Sequence, residues 1–490
     1  MKTILILMDS LNRNYLKTYN EEAATITPNI CQFAKESLVF NNHFIGSAPC
    51  MPARRDLLTG RLNFLERRWG PIEAFDKTIT KALRNKGVFC HIVTDHCHYT
   101  ETGGENYLQE FNTWDYVRGQ EYDPWVSRVT PIRDRNLEHY GVIFDQYEAN
   151  RTLFKEEKDY PTQRTFAAAC DWIENNKDED NYFLQVEVFD PHEPFDTPQE
   201  YLDLYGDNYD GPRFDCSTYR AVTEPEEAIK HLQNRYRATL TMADKWFGRL
   251  IDKLKETGNY DDTLIIFTTD HGHLLGEYGF TGKNYMHGYN QLSNIPLMVR
   301  FPGGPHGQRT DVLSQGIDLA ATILDYFDIP KLDTMTGTSL LETFQGKPQK
   351  TRDCLLFGWF GGAINIFDGR YTYFRAAVRE DNTPLFNYCS MPTTLLQFMG
   401  NDVVDDIEMG RFLKYTNFPV YKIPAKFPIG HLRSREHISD TLLFDTLTDY
   451  EQKRPLKDPL IEAEMEQKLV KMMHWADAPD EQFERVGLRK

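Results

Sequence analysis

Four short, nearly continuous runs of apolar residues constrain the fold of this chain more than any other feature of its sequence. They are rich in β-branched and aromatic side chains and occupy residues 3–8, 88–94, 182–189 and 263–269. Such runs are typical of strands that are covered on both faces. Helical patterns at residues 27–37, 78–86, 163–175 and 226–256 lie between them. This alternation predicts an α/β fold whose large, mostly parallel sheet is flanked by helices on both faces.

The C-terminal part of the chain has a different pattern, which begins after the polar, basic segment 344–352. Two short apolar runs flank Asp368-Gly369, a strong signal for a β-hairpin, and residues 460–473 form an amphipathic helical pattern. We therefore expect a smaller C-terminal antiparallel sheet with one helix packed on it. A chain of 490 residues is long enough for one large and one smaller domain, which we assign to residues 1–360 and 361–490.

The segment 107–160 interrupts the regular alternation. It is rich in Tyr, Trp, Asp and Arg and shows little periodicity. We interpret it as a long insertion over the edge of the sheet, since long loops of this kind often form lids or pocket walls.

The net charge of the chain argues against two classes of partner, nucleic acids and membranes. The sequence has 55 Lys and Arg against 73 Asp and Glu, which gives a formal net charge of −18. Because so acidic a surface repels phosphate backbones and anionic lipids, we expect neither a nucleic-acid partner nor a membrane partner. No stretch of sequence is long and apolar enough to cross a bilayer.

The start of the chain and its cysteines bear on the cellular compartment. The first apolar run is short, and no small-residue cleavage site follows it, so a chain that begins natively at Met1 is expected to be cytoplasmic. The eight cysteines include no CxxC pair and indicate no disulfide framework. The sequence predicts no oligomeric state.

Each of the four predicted strands ends in a cluster of polar residues. These clusters are Asp9-Ser10, Asp95-His96-Cys97-His98, Asp190-Pro191-His192 and Asp270-His271-Gly272-His273. A single Asp after a strand is usually a turn residue or a helix cap. In an open parallel sheet, however, the carboxyl ends of the strands meet at one edge, where ligands bind. Asp9, Asp270 and His271 would there form a site for a divalent cation with mostly oxygen ligands.

The segment CMPARRDLLTGR, residues 50–61, predicts a helix that begins at Cys50. Pro52 suits the first helical turn, and Gly60 suits the position after the last. Cys50 would then lie beside free backbone N–H groups and the positive end of the helix dipole, which favours an anionic nucleophile or a bound oxyanion. Arg54, one turn later, can direct forked hydrogen bonds toward the same point. A lone cysteine more often packs in the protein core, so a catalytic role for Cys50 needs support from the rest of the sequence.

The same segment resembles the modification motif of the type I sulfatases, C-x-P-x-R followed by L-T-G-R, within the alkaline phosphatase superfamily. The resemblance covers most of the chain. It continues through Asp9, Thr27-Pro28-Asn29, Asp190-Pro191-His192-Glu193-Pro194-Phe195, Asp270-His271-Gly272 with Gly276-Glu277, Lys283, Ile295-Pro296-Leu297 and Leu443-Phe444-Asp445 with Asp449 and Glu451. In that family the motif cysteine is oxidised to formylglycine, so the resemblance implies that a formylglycine-generating maturation enzyme acts on Cys50.

The chain also departs from the usual sulfatase pattern. Asp9-Ser10 replaces a pair of aspartates, and Asp270-His271 replaces Asp-Asn, which is similar to the phosphonate monoester hydrolase branch with the same formylglycine. One carboxylate fewer and one imidazole more leave Ca²⁺ as the expected metal and Mn²⁺ as the alternative. The usual Lys-x-His after the second strand is replaced by residues 95–98.

The resemblance implies hydrolysis of a sulfate ester, either a sulfated saccharide or an aryl sulfate. One hydroxyl of the hydrated formylglycine at Cys50 is the implied nucleophile, and attack gives a covalent sulfo-enzyme. The implied metal ligands are Asp9, Cys50, Asp270 and His271, and the metal lowers the pKa of that hydroxyl and clamps the sulfuryl group.

Four further side chains are assigned roles in this implied reaction. Arg54 would stabilise the diol, and Lys283 would bind a sulfuryl oxygen. His192 is expected to protonate the leaving group or to donate to an oxygen beside Lys283. His96 or His98 would be the base when sulfate is expelled.

Two alternatives to the sulfatase hypothesis stay open. The first is a phosphonate or phosphate ester hydrolase with the same nucleophile, because these anions share the tetrahedral shape of sulfate. The second is a non-catalytic, glycan-binding relative in which Cys50 is unmodified. The leaving group is not predicted; the aromatic residues of the insertion and Arg67-Arg68-Trp69 either line a pocket that stacks a ring or pack locally.

Overall fold

The computed structural model describes residues 1–132, 136–283, 286–425 and 440–489. Its strands are β1 Lys2–Met8, β2 Leu38–Phe40, β3 His43–Phe44, β4 Ser47–Ala48, β5 Phe89–Thr94, β6 Thr113–Tyr116, β7 Tyr182–Val188, β8 Arg220–Ala221, β9 Thr263–Thr268, β10 Leu274–Leu275, β11 Phe280–Gly282, β12 Leu297–Arg300, β13 Gln308–Thr310, β14 Ser314–Gln315, β15 Leu355–Trp359, β16 Ile364–Phe367, β17 Tyr371–Arg375, β18 Phe386–Cys389, β19 Glu408–Gly410, β20 Val420–Pro424 and β21 Leu442–Asp445. Its α-helices are α1 Pro28–Lys35, α2 Cys50–Thr59, α3 Ile79–Asn85, α4 Glu105–Gln109, α5 Asp145–Asn150, α6 Pro161–Asn175, α7 Gln199–Asp203, α8 Glu226–Glu256, α9 Asn290–Ser293, α10 Gly316–Tyr326, α11 Leu341–Phe344, α12 Pro459–Trp475 and α13 Asp480–Arg485.

The four predicted strands lie side by side at the centre of the largest sheet. Within the described residues this sheet has eight strands in the order β13-β2-β12-β9-β1-β7-β5-β6. β1 pairs in parallel with both β7 and β9, and β5 pairs in parallel with β7. The carboxyl ends of these four strands therefore meet at one edge of the sheet, as predicted.

The outer strands of this sheet were not predicted. β12 runs antiparallel to β9 and β2, whereas β13 pairs in parallel with β2. β6 adds a parallel strand beside β5 and comes from the insertion 107–160. Each of β2, β6, β12 and β13 has three or four residues, which is too short for a recognisable sequence pattern.

Two hydrophobic layers cover the sheet, one on each face. Side chains alternate between the faces along a strand, and β1 shows this most clearly. Ile4, Ile6 and Met8 pack against α1, α6 and α8, whereas Leu5 and Leu7 pack against α2, α3 and α10. Full burial of each such side chain contributes roughly 1.5–3 kcal/mol. The predicted α/β fold with helices on both faces is therefore confirmed.

A smaller, mostly antiparallel sheet forms the C-terminal part of the fold. Its order is β21-β17-β16-β15-β4, and β16 and β17 form the predicted hairpin around Asp368-Gly369. Met465 and Leu469 of α12 pack in one cluster with Leu356 and Ile364 of this sheet. β4 and β15 lie before residue 361, so the sheet takes strands from both sides of that position, and the domain division stays a prediction. A second small antiparallel sheet has the order β18-β20-β19.

The helix predicted at Cys50 is α2, and a network around Asp56 holds its first turns. The Asp56 carboxylate accepts hydrogen bonds from the backbone and side chain of Ser47, which belongs to β4, and from Asn63. Gly60 follows the helix with φ of 67°, and its N–H donates to the Asp56 carbonyl. Cys50 is therefore the first residue of a helix whose two ends are both held in place.

The described cysteines are all free thiols. Within the described ranges, no helix combines the length and the apolar character that crossing a bilayer requires.

Candidate active site

Four side chains that the sequence analysis assigned to one metal site lie together at the carboxyl edge of the large sheet. Asp9 follows β1, Asp270 and His271 follow β9, and Cys50 begins α2. One donor atom from each of these four buried residues lies within 4.8 Å of all the others. Cys50 Sγ is 3.2 Å from His271 Nε2 and 3.9 Å from Asp9 Oδ1.

The donors of this cluster fit a divalent cation. His271 Nδ1–H donates to the Gly272 carbonyl over 2.8 Å, which leaves the Nε2 lone pair directed at the cluster. Burial alone would raise the pKa of Asp9, but Arg54 and Lys283 lower it well below its usual value, so the carboxyl is ionised. Two carboxylates, one imidazole and the side chain at position 50 form a donor set dominated by oxygen once that cysteine is oxidised.

Arg54 contacts the carboxylates of this cluster rather than Cys50. Its guanidinium is 1% exposed and donates one short hydrogen bond through each nitrogen: to Glu187 (2.6 Å), Asp270 (2.7 Å) and Asp9 (2.9 Å). Burial alone would lower the pKa of Arg54, but these three acids raise it well above its usual value. Arg54 therefore orients both aspartates, and its role at the formylglycine diol stays a prediction.

Glu187 is a functional residue that the sequence analysis missed. It lies in β7, is fully buried, and accepts hydrogen bonds from Arg54, from Tyr99 Oη (3.0 Å) and from Gln185 Nε2 (3.0 Å). The available signal was an acidic residue inside a strand whose other residues, apart from Gln185, are apolar or aromatic. Glu187 therefore holds the guanidinium through Nε, while its other two nitrogens contact Asp270 and Asp9.

Lys283 places a buried positive charge next to Cys50. Its Nζ is 3.6 Å from Cys50 Sγ and 3.0 Å from Ser10 Oγ. Ser10 Oγ in turn donates to Asp9 over 2.7 Å, and the Ser10 N–H donates to Asp270 over 3.1 Å. Ser10 replaces the second aspartate of the usual motif, and it links the lysine to both metal-ligand carboxylates.

Cys50 is not an activated thiol in this environment. Burial raises the pKa of the thiol well above its usual value, and the negative charges of Asp9 and Asp270 raise it further. The helix N-terminus was expected to favour an anionic sulfur, and the two carboxylates oppose that effect. These surroundings therefore do not favour a free thiolate at position 50.

His192 belongs to a buried histidine–glutamate group near Lys283. Its Nδ1–H donates to the Glu193 carbonyl over 2.6 Å, and the Glu193 carboxylate is 3.5 Å from Nδ1 of both His192 and His273. Burial lowers the pKa of His192 to about 4, so the ring is neutral near pH 7 and Nε2 is a proton acceptor. The ring can protonate a leaving group only after it has taken up a proton. The sequence predicted no role for Glu193 or His273.

His96 is fully buried beside this site. Its ring lies 5.0 Å from the rings of both His98 and Tyr99, and neither of its nitrogens has a hydrogen-bond partner in the described part of the chain. Burial and the charge of Arg54 lower the pKa of His96 well below its usual value. Its proposed role as a base stays a prediction.

The aromatic residues singled out in the sequence are divided between the site and the surface. Trp69 packs edge-on against His98 at 4.9 Å, and Tyr122 Oη is 3.1 Å from His98 Nδ1. Trp114 is 44% exposed on the edge strand β6. Arg67 is buried and donates to Glu73 over 2.7 Å, which fits local packing rather than a second anion site.

Comparison with protein families gives two matches. A family model described as Sulfatase matches residues 2–329, and a model described as N-sulphoglucosamine sulphohydrolase, C-terminal, matches residues 276–392. Among curated proteins, the chain is 26% identical over 405 residues to the multifunctional alkaline phosphatase superfamily protein PehA of Trinickia caryophylli, covering 71% of this chain and 78% of that protein. It is 22% identical over 386 residues to an arylsulfatase of Clostridium perfringens, covering 71% and 79% of the two chains.

Solved structures share this fold. The phosphonate monoester hydrolase of Agrobacterium radiobacter superposes with a TM-score of 0.67 at 18% identity, covering 97% of this chain and 95% of that one. A protein in complex with its substrate D-glucosamine-2-N,6-O-disulfate superposes with a TM-score of 0.66 at 15% identity, covering 98% and 99%. The match to the Sulfatase model extends over most of the chain and includes all four clustered donors, and the chain therefore belongs to the sulfatase family, within the alkaline phosphatase superfamily.

Proposed function

We propose that this chain hydrolyses sulfate esters with a formylglycine made from Cys50 and a divalent cation held by Asp9, Asp270, His271 and the modified side chain. The observation that carries the proposal is the meeting of these four donors within 4.8 Å, with Lys283 Nζ 3.6 Å from Cys50 Sγ. Membership of the sulfatase family and the geometry of the four donors both support this reaction.

The cation and the modified residue would supply the chemistry that the unmodified chain lacks. When bound, the cation offsets the charge of the sulfuryl oxygens and lowers the pKa of a nearby hydroxyl. Formylglycine, when hydrated, supplies that hydroxyl together with a second one that permits turnover. We propose Ca²⁺ as the cation, with Mn²⁺ as the alternative because His271 contributes a nitrogen ligand.

The chain's own residues hold and orient the reacting groups. Arg54 fixes the two aspartates in position, and Lys283 supplies a permanent positive charge where a sulfuryl oxygen would lie. His192 faces the leaving group with an unprotonated Nε2, which accepts a proton before it acts as an acid. His96 is the proposed base for the step in which sulfate is released.

We propose a sulfated saccharide or an aryl sulfate as the substrate, matured by a formylglycine-generating enzyme. Relatives named arylsulfatase and N-acetylglucosamine-6-sulfatase support these two substrate classes, the latter from Homo sapiens at 25% identity over 357 residues. Tyr122 and Trp69 beside His98 offer aromatic surface to a sugar ring or an aryl group.

A phosphonate ester hydrolase with the same nucleophile is the second candidate. Asp270-His271, in place of Asp-Asn, is the observation that favours it.

The two candidates are tested by comparing turnover of a sulfate monoester and a phosphonate monoester of one chromogenic alcohol. The protein used is one whose Cys50 peptide carries formylglycine by mass spectrometry. We expect the higher kcat/KM for the sulfate ester. A higher value for the phosphonate ester would contradict the proposal, and an unmodified thiol in protein from the native host would indicate a non-catalytic, glycan-binding relative.

Replacing Lys283 with methionine is expected to lower kcat/KM by about 10²–10³-fold, the usual effect of losing one donor that stabilises transition-state charge. Burial alone would lower the pKa of Lys283, but the carboxylates of Glu193, Asp9 and Asp270 raise it above its usual value. Because the ammonium stays charged across the neutral range, we expect the same loss at about pH 6 and about pH 9. Steady-state kinetics at both pH values measures the effect.

The control for this experiment is Lys77→Met, which removes an exposed lysine paired with Asp333. It is expected to leave kcat/KM within twofold of the wild-type value. An equally small effect of Lys283→Met would show that this lysine does not contact the sulfuryl group.

A further inference from the structure

A second cluster of metal-ligating side chains lies in the structure beside His96. Cys97, His98 and Glu121 are all buried, and one donor atom of each lies within 4.8 Å of the other two. Cys97 and His98 belong to the single-turn 3-10 helix Cys97–Thr100 that follows β5, whereas Glu121 comes from the insertion. Cys97 Sγ is 3.6 Å and His98 Nε2 is 3.8 Å from Glu121 Oε2.

The orientation of His98 is the one found in metal-binding histidines. Its Nδ1 is 2.9 Å from Glu101 Oε1, and Tyr122 Oη donates to the same carboxylate oxygen over 2.9 Å. A proton on Nδ1 that is donated to Glu101 leaves the lone pair of Nε2 directed toward Glu121. A carboxylate that orients a ligand imidazole through its second nitrogen is a common feature of zinc sites.

Within the described ranges, the acid of this cluster forms no ion pair with a lysine or an arginine. Glu121 is 8% exposed, and within the described ranges its ion pair is with His98 rather than with a lysine or an arginine. The Cys97 thiol donates to Glu121 Oε2, whereas an imidazole that carries its proton on Nδ1 presents the Nε2 lone pair to the same carboxylate oxygen. Glu101 Oε2 is also buried, with no hydrogen-bond partner in the described part of the chain. A cation bound to Cys97, His98 Nε2 and Glu121 would accept the imidazole lone pair and offset the carboxylate charge, while Glu101 would keep its place at Nδ1.

We propose that Cys97, His98 and Glu121 bind Zn²⁺, at a site separate from the cation at Asp9, Asp270 and His271. Thiolate, imidazole and carboxylate together select Zn²⁺ over Ca²⁺, which prefers oxygen ligands. Binding releases the thiol proton of Cys97 to solvent and involves no change of oxidation state. Three protein donors leave the fourth tetrahedral position to a water molecule.

Cobalt substitution tests this site, because a thiolate bound to Co²⁺ gives a charge-transfer absorption band in the near ultraviolet. The full-length Cys50→Ala variant is titrated with Co²⁺, so that position 50 contributes no sulfur. We expect the band to appear, to disappear on addition of one equivalent of Zn²⁺, and to persist on addition of Ca²⁺. No band in this variant would overturn the proposal. Because the readout needs no turnover, it is independent of the proposed sulfatase activity.

Cysteine variants in the same Cys50→Ala background identify the sulfur ligand. Cys97→Ser should abolish the band, whereas Cys90→Ser, which removes another fully buried thiol of the preceding strand, should retain it. A band that survives Cys97→Ser, or that is lost with Cys90→Ser instead, would contradict the assignment.

Two isosteric variants test the site without removing the thiol, in case Cys97→Ser fails to fold. Glu121→Gln removes a ligand charge, and Glu101→Gln weakens the partner that orients His98. We expect Glu101→Gln to weaken Zn²⁺ binding by about 10–100-fold, and Glu121→Gln by at least as much, in a competition titration with a chromogenic chelator. Unchanged Zn²⁺ affinity in both variants would overturn the proposal.

Discussion

Replacing Cys50 with alanine is expected to lower kcat for sulfate ester hydrolysis by about four orders of magnitude or more, the usual consequence of losing a covalent nucleophile. The side chain at position 50 lies 3.2 Å from His271 and 3.6 Å from Lys283, at the centre of the donor cluster. Within the described residues this is the one nucleophile precursor in that cluster. Initial rates with a chromogenic aryl sulfate measure the loss.

Two controls separate loss of the nucleophile from loss of the fold. Cys90→Ala removes a fully buried cysteine of β5 outside the site and should retain kcat within a few-fold. Cys50→Ala should keep a cooperative unfolding transition, because alanine leaves α2 and its Asp56 network intact. If folded Cys50→Ala retained more than about one hundredth of the wild-type kcat, position 50 would not supply the nucleophile.

Replacing Arg54 with methionine is expected to lower the free energy of unfolding by about 3–5 kcal/mol, the usual cost of removing one partner from a buried ion pair. The variant leaves the carboxylates of Asp9, Asp270 and Glu187, all with fully buried side chains, without the guanidinium that joins them. A bound cation would compensate the two aspartates, whereas Glu187 is not one of the clustered donors. Guanidinium chloride unfolding, with and without added Ca²⁺ or Mn²⁺, measures the change and the part that metal restores.

Matched variants show whether burial is the cause of that loss. Arg379→Met breaks an exposed pair with Asp381 and should change the free energy of unfolding by no more than about 1 kcal/mol. Glu187→Gln should cost less than Arg54→Met, because Arg54 keeps two carboxylate partners. An Arg54→Met variant as stable as Arg379→Met would show that the three carboxylates do not depend on the guanidinium.

The two proposed metal sites differ in how far the charges of their carboxylates are neutralised before a cation binds. The cluster at Asp9 and Asp270 carries its own buried arginine and lysine, so its carboxylates are partly neutralised before any cation binds. In the described part of the chain, Glu121 of the second cluster contacts the Cys97 thiol and the His98 imidazole and forms no ion pair with a lysine or an arginine. We therefore expect removal of the metal to have different effects at the two sites. In the Cys50→Ala variant, the cobalt charge-transfer band reports on the second site alone.

Much of the central fold could be predicted because its strands are long and continuously apolar. The helix at Cys50 was equally predictable, since Pro52 and Gly60 determine its two ends through local backbone geometry. The outer strands β2, β12 and β13 could not be predicted in this way. Each is only three or four residues long and is stabilised by the neighbour it pairs with.

The candidate site likewise has residues whose proximity the sequence predicts and contacts that only the packing of distant elements creates. Asp9, Asp270 and His271 follow predicted strands and share one edge of a parallel sheet, so their proximity was expected from sequence order alone. The contacts of Arg54 were not, because Glu187 reaches the guanidinium only where β7 lies beside β1. The pairing of Cys97 with Glu121 likewise depends on the path of the insertion, which has no periodic pattern.

By itself, the order of residues determined the parallel core, the start of α2 and which side chains could serve as ligands, because those properties depend on hydrophobic period and local backbone preference. The tertiary structure alone decided which acids Arg54 joins, how far the lysine lies from position 50, and that a thiol, an imidazole and a carboxylate meet beside the site. Such distances depend on which elements pack side by side, and non-local packing leaves little trace in a local pattern.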